Sequence, residues 1–343
     1  MQEVRTEDSV GRILCHDLTQ IIRGVTKDAR FRKGHVVQKE DIPILLSMGK
    51  EHLYVWEEDA AMLHEEDAAA ILRDLCLNAG MSAGEPKEGK IEIKAEIDGV
   101  FYVDRKRFQA VNMLPDMSMA TIPQYMPVKK GTKLAGMRIV PLMIEKERME
   151  QVKRVAGKEP LFTLRPYKAM KVGVVTTGSE VAKGLINDGF TPVLAQKLKA
   201  FGLAVDAHRI SDDGIENTKA AILELLDLGM DMILCTGGMS VDPDDRTPAA
   251  IRDSGAEVVS YGAPILPGAM FLVAYMERDD RVIPILGLPG CVMFETATVF
   301  DIFLPRILTG ERLRREDIVG LGIGGLCMHC RVCHFPVCGF GKE

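Results

Sequence analysis

The chain has 343 residues, 47% of them hydrophobic and 27% charged, with a formal net charge of −6. That length exceeds one ordinary core and predicts two or three domains, and the slightly acidic balance argues against nucleic-acid binding as the main activity. The longest apolar stretch, Gly262 to Met276, carries two prolines and is too short to span a bilayer, so no membrane association is expected.

The N-terminal MQEVRTEDSVGRIL is charged throughout and lacks the apolar core of a secretory signal, which predicts a cytoplasmic protein. Val10 to Thr19 reads as a short extended segment. Lys39 to Gly49 reads as a helix with Ile42, Leu45, Leu46 and Met48 on its apolar side and Gly49 closing it. His52 to Trp56 follows as a strand, then a helix from about Asp59 to Ala79. Past the Gly/Pro/Lys stretch Gly80 to Gly89, strand-like segments fit Ile91 to Ile97 and Val100 to Asp104, and Tyr125 to Pro141 has the texture of a small β-rich module. Residues 1–165 are thus a mixed α+β, β-rich region.

The pattern changes near Pro160 to Lys168. Strands fit Val172 to Thr176, Ala204 to Ser211, Met230 to Cys235, Glu257 to Val259, Phe271 to Tyr275 and Val282 to Leu286. Helices fit Pro192 to Gly202, Asn217 to Leu228 and Val292 to Leu308. Such alternation requires crossover connections and predicts an α/β domain over 166–312 with a mainly parallel sheet.

In open sheets of this kind ligands bind beyond the carboxyl ends of the strands. Three loops fall there: Thr176-Thr177-Gly178-Ser179-Glu180, Thr236-Gly237-Gly238-Met239-Ser240, and Gly287-Leu288-Pro289-Gly290. Their glycines let the backbone turn and present N–H groups to an anion, and Thr176, Thr177 and Ser240 add hydroxyls, so a phosphorylated small molecule is the expected ligand. Asp242, Asp244 and Asp245 follow the second loop, and Asp212 and Asp213 follow the second strand. Carboxylates beside a phosphate pocket suggest a bridging Mg²⁺; the plainer alternative is a solvated acidic loop in which Asp245 or Thr247 caps the helix before Pro248.

KVGVVTTGSEV, CTGGMSVDPDDRTP and GLPGCVMFETATVFDIFLPRIL together resemble the three signature blocks of the molybdopterin-binding domain. Molybdopterin adenylyltransferases, molybdenum insertases and CinA-like proteins share that domain. The likeness runs from about Lys171 to Leu308. VGRILCHDL and FRKGHVVQKEDIPILLSMGKEHLYVW resemble, more weakly, insertase segments outside it. The resemblance implies a three-layer α/β sandwich whose pocket holds molybdopterin or its adenylylated form. It places Gly178 and Glu180 in the first block, Asp212 after the second strand, and Thr236, Gly237, Gly238 and Ser240 in the central loop, which runs on to Thr247, with Pro289 and Gly290 in the third. Asp245 matches the aspartate associated with metal-assisted phosphate chemistry, with Asp242 beside it. Relatives are commonly dimers or trimers, so a homo-oligomer is implied, as is a molybdoenzyme or cofactor-assembly protein as partner.

The chain also departs from the insertase pattern. Asp242 stands where insertases usually have Gly, Pro267-Gly268-Ala269-Met270 replaces a PG-K-P segment and loses its cation, and Cys291-Val292 replaces Asn-Pro. Cys291 reads either as a thiol activated at a helix N-terminus or as a small residue tucked under the pocket. Three functions stay open: a molybdotransferase- or adenylyltransferase-like enzyme, a non-enzymatic molybdopterin or redox sensor or carrier, and a CinA-like nucleotide pyrophosphatase.

The eight cysteines are unevenly placed. Cys327, Cys330, Cys333 and Cys338 crowd into residues 313–343, a pattern of reduced thiols with a local metal site rather than a disulfide framework. Their spacing is near the ferredoxin run but longer by one residue, with Gly339 where Pro would follow. An iron–sulfur cluster, a four-thiolate Zn²⁺ site and a site of three thiolates with His329 or His334 are the alternatives; the plain one is a reactive tail.

Overall fold

A computed structural model of the chain describes residues 1–57, 59–87 and 89–342. The chain folds as two units: residues 1–97, 102–122 and 130–164 form one, and residues 98–101, 123–129 and 165–343 the other.

In the first unit Gln2–Arg5 pairs antiparallel with His52–Val55, and Leu18–Ile22 forms a hairpin with Thr26–Phe31. Leu14, Leu18, Phe31, Val37, Leu45 and Leu53 close a small core beside the helix Asp41–Ser47. A second, four-stranded antiparallel sheet runs in the order Met81–Ala83, Ile91–Ala95, Lys133–Ile139, Met117–Thr121. The expected helix from Asp59 begins only at Glu65: Met62–His64 is a strand paired with Met143–Glu145, and the His64 side chain then accepts the Glu66 N–H to start the helix Glu65–Cys76. Within Val10 to Thr19 only isolated bridges at Ile13 and Leu14 form before the hairpin. Helices at Arg105–Asn112 and Lys146–Ala156, to which the sequence pattern assigns no element, complete the unit.

The second unit is built on a six-stranded sheet. Its strands are β1 (Val172–Thr177), β2 (Val205–Ser211), β3 (Met232–Thr236), β4 (Glu257–Tyr261), β5 (Leu272–Arg278) and β6 (Arg281–Leu288). They lie in the order β2-β1-β3-β6-β5-β4. β2, β1, β3 and β6 are parallel, while β5 pairs antiparallel with both β6 and β4.

β1, β3 and β6 are largely buried on both faces because helices cover both, whereas the edge strand β2 carries Asp206, His208 and Arg209. Val172, Val174, Met232, Leu234, Leu286 and Leu288 face a core with Leu194, Leu198, Phe300 and Phe303. The alternate residues Val175, Ile233, Cys235 and Ile285 face a second core with Ile222, Leu225, Leu226 and Ile251. The helices Phe190–Lys199 and Val299–Leu308 therefore cover one face, and Ile215–Asp227 and Thr247–Asp253 the other. This is the three-layer α/β sandwich expected for the region.

The last helix of the domain starts at Val299, not Val292. Gly290–Met293 is a 3-10 turn, and a capping box between Thr298 and Asp301 fixes the later start. Leu313, Ile318, Leu321 and Phe340, from beyond the sheet, complete the first of the two cores. Among the described residues no helix is long and apolar enough to cross a membrane.

Candidate functional site

The carboxyl ends of β1, β2, β3 and β6 lie at one edge, so the three loops singled out from the sequence meet there. Two of them form a cavity of about 370 Å³. Gly237, Gly238, Ser240 and Asp245 line it from the loop after β3, and Pro289 and Gly290 from the loop after β6. Phe190, Met239, Met270 and Leu288 supply apolar walls, and of these only Met239 and Leu288 lie within the loop sequences noted above.

The central loop is tied down by threonines beneath it. Gly237 and Gly238 have φ of 82° and 58°, and a Cβ on Gly237 would stand 2.3 Å from the Thr177 carbonyl oxygen, so close approach as well as φ requires glycine. The Thr247 hydroxyl donates to the Gly237 carbonyl at 2.8 Å and lies 3.1 Å from the Thr177 hydroxyl, which also donates to the Thr236 carbonyl. Tyr261 donates from its hydroxyl to the Met239 carbonyl at 2.9 Å, clamping the far side of the loop. Burial, followed by the nearby Asp245 charge, pushes the Tyr261 hydroxyl above its ordinary pKa.

Asp245 and Thr247 do not cap the helix Thr247–Asp253. Its N-cap is Arg246, with no side-chain cap, because the two side chains are used inside the loop. One Asp245 carboxylate oxygen accepts the Ser240 N–H at 2.9 Å. Asp242 is exposed and outside the cavity lining; its carbonyl accepts the Asp245 N–H.

The remaining candidates divide. Thr176 is buried in a network that sequence reading missed: its hydroxyl donates to Asp188 at 3.1 Å and lies 3.0 Å from His208 Nε2, and Thr191 also donates to Asp188. Burial works to raise the Asp188 pKa, but hydrogen bonds from Thr191, Phe190 and Thr176 outweigh it and hold the carboxyl below its usual range. An Asp two residues before a helix start was the available signal, since Asp188 accepts the Phe190 N–H. Gly178 and Glu180 do not line the cavity, and Glu180 is exposed. Asp212 shapes the start of a helix instead, accepting from Asn217 and the Gly214 N–H, contacts that lower its pKa.

Cys291 lies in the 3-10 turn, half-buried, and burial pushes its thiol up, the opposite of the shift expected at a long helix N-terminus. A cavity of about 420 Å³ on the first unit's four-stranded sheet offers less chemistry, because Glu92 there is paired with Lys90 and Lys133. Among the described residues no group of three or more His, Cys, Asp or Glu side chains is placed to hold a metal ion.

Residues 173–309 match the family described as "Probable molybdopterin binding domain", and residues 3–57 match a domain of unknown function (DUF8806). The chain is 25% identical over 195 residues to the molybdopterin molybdenumtransferase of Synechococcus elongatus, covering 54% of this chain and 45% of that protein. It is 28% identical over 144 residues to the molybdenum cofactor synthesis protein cinnamon of Drosophila melanogaster, covering 40% of this chain and 23% of that one. The molybdopterin adenylyltransferase of Pyrococcus furiosus is 26% identical over 136 residues, 36% of this chain and 80% of its own. The chain thus spans less than half the length of the first two relatives. The tungsten cofactor synthesizing protein MoaB of Pyrococcus furiosus superposes with a TM-score of 0.35 at 19% identity, over 43% of this chain and 99% of that one.

Proposed function

We propose, from the membership of residues 173–309 in the molybdopterin-binding domain family, that the chain binds molybdopterin or its adenylylated form at the Gly237–Gly238 cavity and serves in cofactor biosynthesis or metal insertion. The observation carrying this reading is the cavity's make-up: glycine backbone at positive φ beside Phe190, Met239, Met270 and Leu288. A pterin phosphate asks for both an apolar slot for a planar ring and amide donors for an anion. In this reading the loop amides orient the phosphate, Phe190 and Met270 exclude water, and Tyr261 and Thr247 keep the loop in place.

Mg²⁺ is held in such sites by one or two carboxylates together with the ligand's phosphate oxygens, and when bound it offsets phosphate charge. Asp245, which lines the cavity, is the residue that would hold it; Asp242, the other carboxylate expected there, lies outside the lining. One Asp245 oxygen already accepts the Ser240 N–H, so much of the metal's shell falls to the phosphate and water. The partners in this reading are the pterin or nucleotide, a second copy of the chain, and a molybdoenzyme or cofactor-assembly protein that takes up the cofactor.

A second reading, a non-catalytic carrier or sensor, draws on the same Asp245–Ser240 bond and on Ala269-Met270 in place of the insertase lysine. Calorimetric titration of the full chain with molybdopterin and, separately, with ADP-ribose tests the binding claim. Molybdopterin is expected to bind and ADP-ribose not to. Binding of ADP-ribose alone would sink the claim and point to the CinA-like nucleotide pyrophosphatase reading.

A further inference from the structure

Independently of the pterin pocket, we propose that the segment Cys327 to Cys338 is the seat of a four-iron iron–sulfur cluster bound by its four thiolates. All four cysteines line one cavity of about 380 Å³, together with His329 and His334. None is in a disulfide. Four thiols close in sequence thus face a common space.

The backbone around that space is closed and anchored. The Cys327 N–H donates to the Leu266 carbonyl at 2.8 Å, and the Leu266 N–H returns to the Gly325 carbonyl. At the other end the Gly341 N–H donates to the Gly324 carbonyl, and a Cβ on Gly324 would stand 2.0 Å from the Lys342 carbonyl oxygen. Phe340 is buried in the domain core and packs edge-on against Phe335. Cys327 and Cys338 therefore sit half-buried on a fixed base, while Cys330 and Cys333 are exposed on the loop between them.

The arrangement favours a cluster over a single ion. Zn–S bonds of about 2.3 Å would draw four sulfurs around one point. Here the thiols border a cavity, and no three candidate ligands among the described residues are grouped closely enough for one ion. A cubane carries iron and sulfide at its centre and holds its thiolates apart; Cys327, Cys330 and Cys333 repeat the C-x2-C-x2-C spacing by which ferredoxins hold one cluster, and Cys338 borders the same cavity as the fourth thiolate. His329 fits a ligand role less well. His329 takes a φ of 46° and its ring lies 3.9 Å from the Glu295 carboxylate. On assembly each thiol gives up its proton and its sulfur binds one iron; two ferrous and two ferric ions with four sulfides give the 2+ core with no further change in oxidation state.

The test is anaerobic reconstitution of the full chain with equimolar ferrous and ferric iron and sulfide. About four irons and four sulfides per chain are expected, with visible absorption that bleaches under dithionite. Cys330→Ser and Cys333→Ser, at exposed positions, should each lose most of the iron while matching the unloaded wild-type chain in circular dichroism. His329→Ala should keep its iron. About one zinc per chain that excludes iron, or no bound metal after reconstitution, would overturn the proposal. So would full iron loading of both serine variants.

Discussion

The hydroxyls of Thr177 and Thr247 meet 3.1 Å apart although 70 positions separate them in the chain. This contact joins the end of β1 to the start of the helix after the central loop, and the Thr247 hydroxyl also donates to the Gly237 carbonyl. Replacing Thr247 with Val keeps the shape and deletes the hydroxyl. It leaves the Gly237 carbonyl without this donor, at an expected cost of about 1–3 kcal/mol. Urea unfolding should show that loss, and molybdopterin affinity should fall with it as the loop loosens. Unchanged stability together with unchanged affinity would show that the threonine pair does not hold the loop.

Asp245 separates catalysis from binding. Asp245→Asn can still accept the Ser240 N–H through its amide oxygen but carries no charge for Mg²⁺. If the site hydrolyses adenylylated molybdopterin, the Asn variant should bind it nearly as well and turn it over roughly 10²–10³-fold more slowly, the scale for losing one electrostatic stabiliser. Asp245→Ala should add a binding defect by releasing the loop. Wild-type turnover in the Asn variant would remove Asp245 from the chemistry.

The sheet was legible because buried parallel strands leave continuous apolar runs, such as Val172 to Val175 and Met232 to Cys235. The loop glycines were legible because tight approach has few other solutions. Less accessible was the apolar wall: Phe190 and Met270 lie outside all three loops and reach the cavity through tertiary folding alone. Thr191 and His208 were missed for the same reason, whereas Asp188 carried a local signal two residues before a helix start. The late start of the last helix turned on a local contest, which the Thr298–Asp301 capping box won over the apolar periodicity beginning at Val292.

Asp188 gives the site a pH dependence of defined sign. Its folded-state pKa is lowered, so the unfolded chain takes up the proton first as pH falls. The stabilisation is fully present above the unfolded value of about 3.9 and is lost as pH drops through the lower folded value. His208 faces it at 3.4 Å, and Thr176 and Thr191 supply the neutral donors. Asp188→Asn should therefore destabilise the protein at neutral pH, with the difference from wild type shrinking below about pH 4. Thermal melts across that range read it directly. A difference that grows on acidification would contradict the assignment.

Arg306 offers the largest predicted effect on stability. It is 1% exposed and lies near the end of the helix Val299–Leu308. Its guanidinium donates to both Glu311 oxygens at 3.0 and 2.7 Å and to Asp317 at 2.9 Å, and stacks 3.9 Å from the Tyr125 ring centroid. Removing one member of a buried ion group leaves charges without compensation, so Arg306→Ala should cost about 3–5 kcal/mol in denaturant unfolding. Arg306→Lys should recover only part of that, because an ammonium cannot reproduce the two-pronged contact or the stacking. A double change of Glu311 and Asp317 to their amides should shrink the penalty of Arg306→Ala, since fewer buried charges then lose their partner. If the three-residue cycle shows no such coupling, the loss in Arg306→Ala comes from packing against Tyr125 and Phe303 instead.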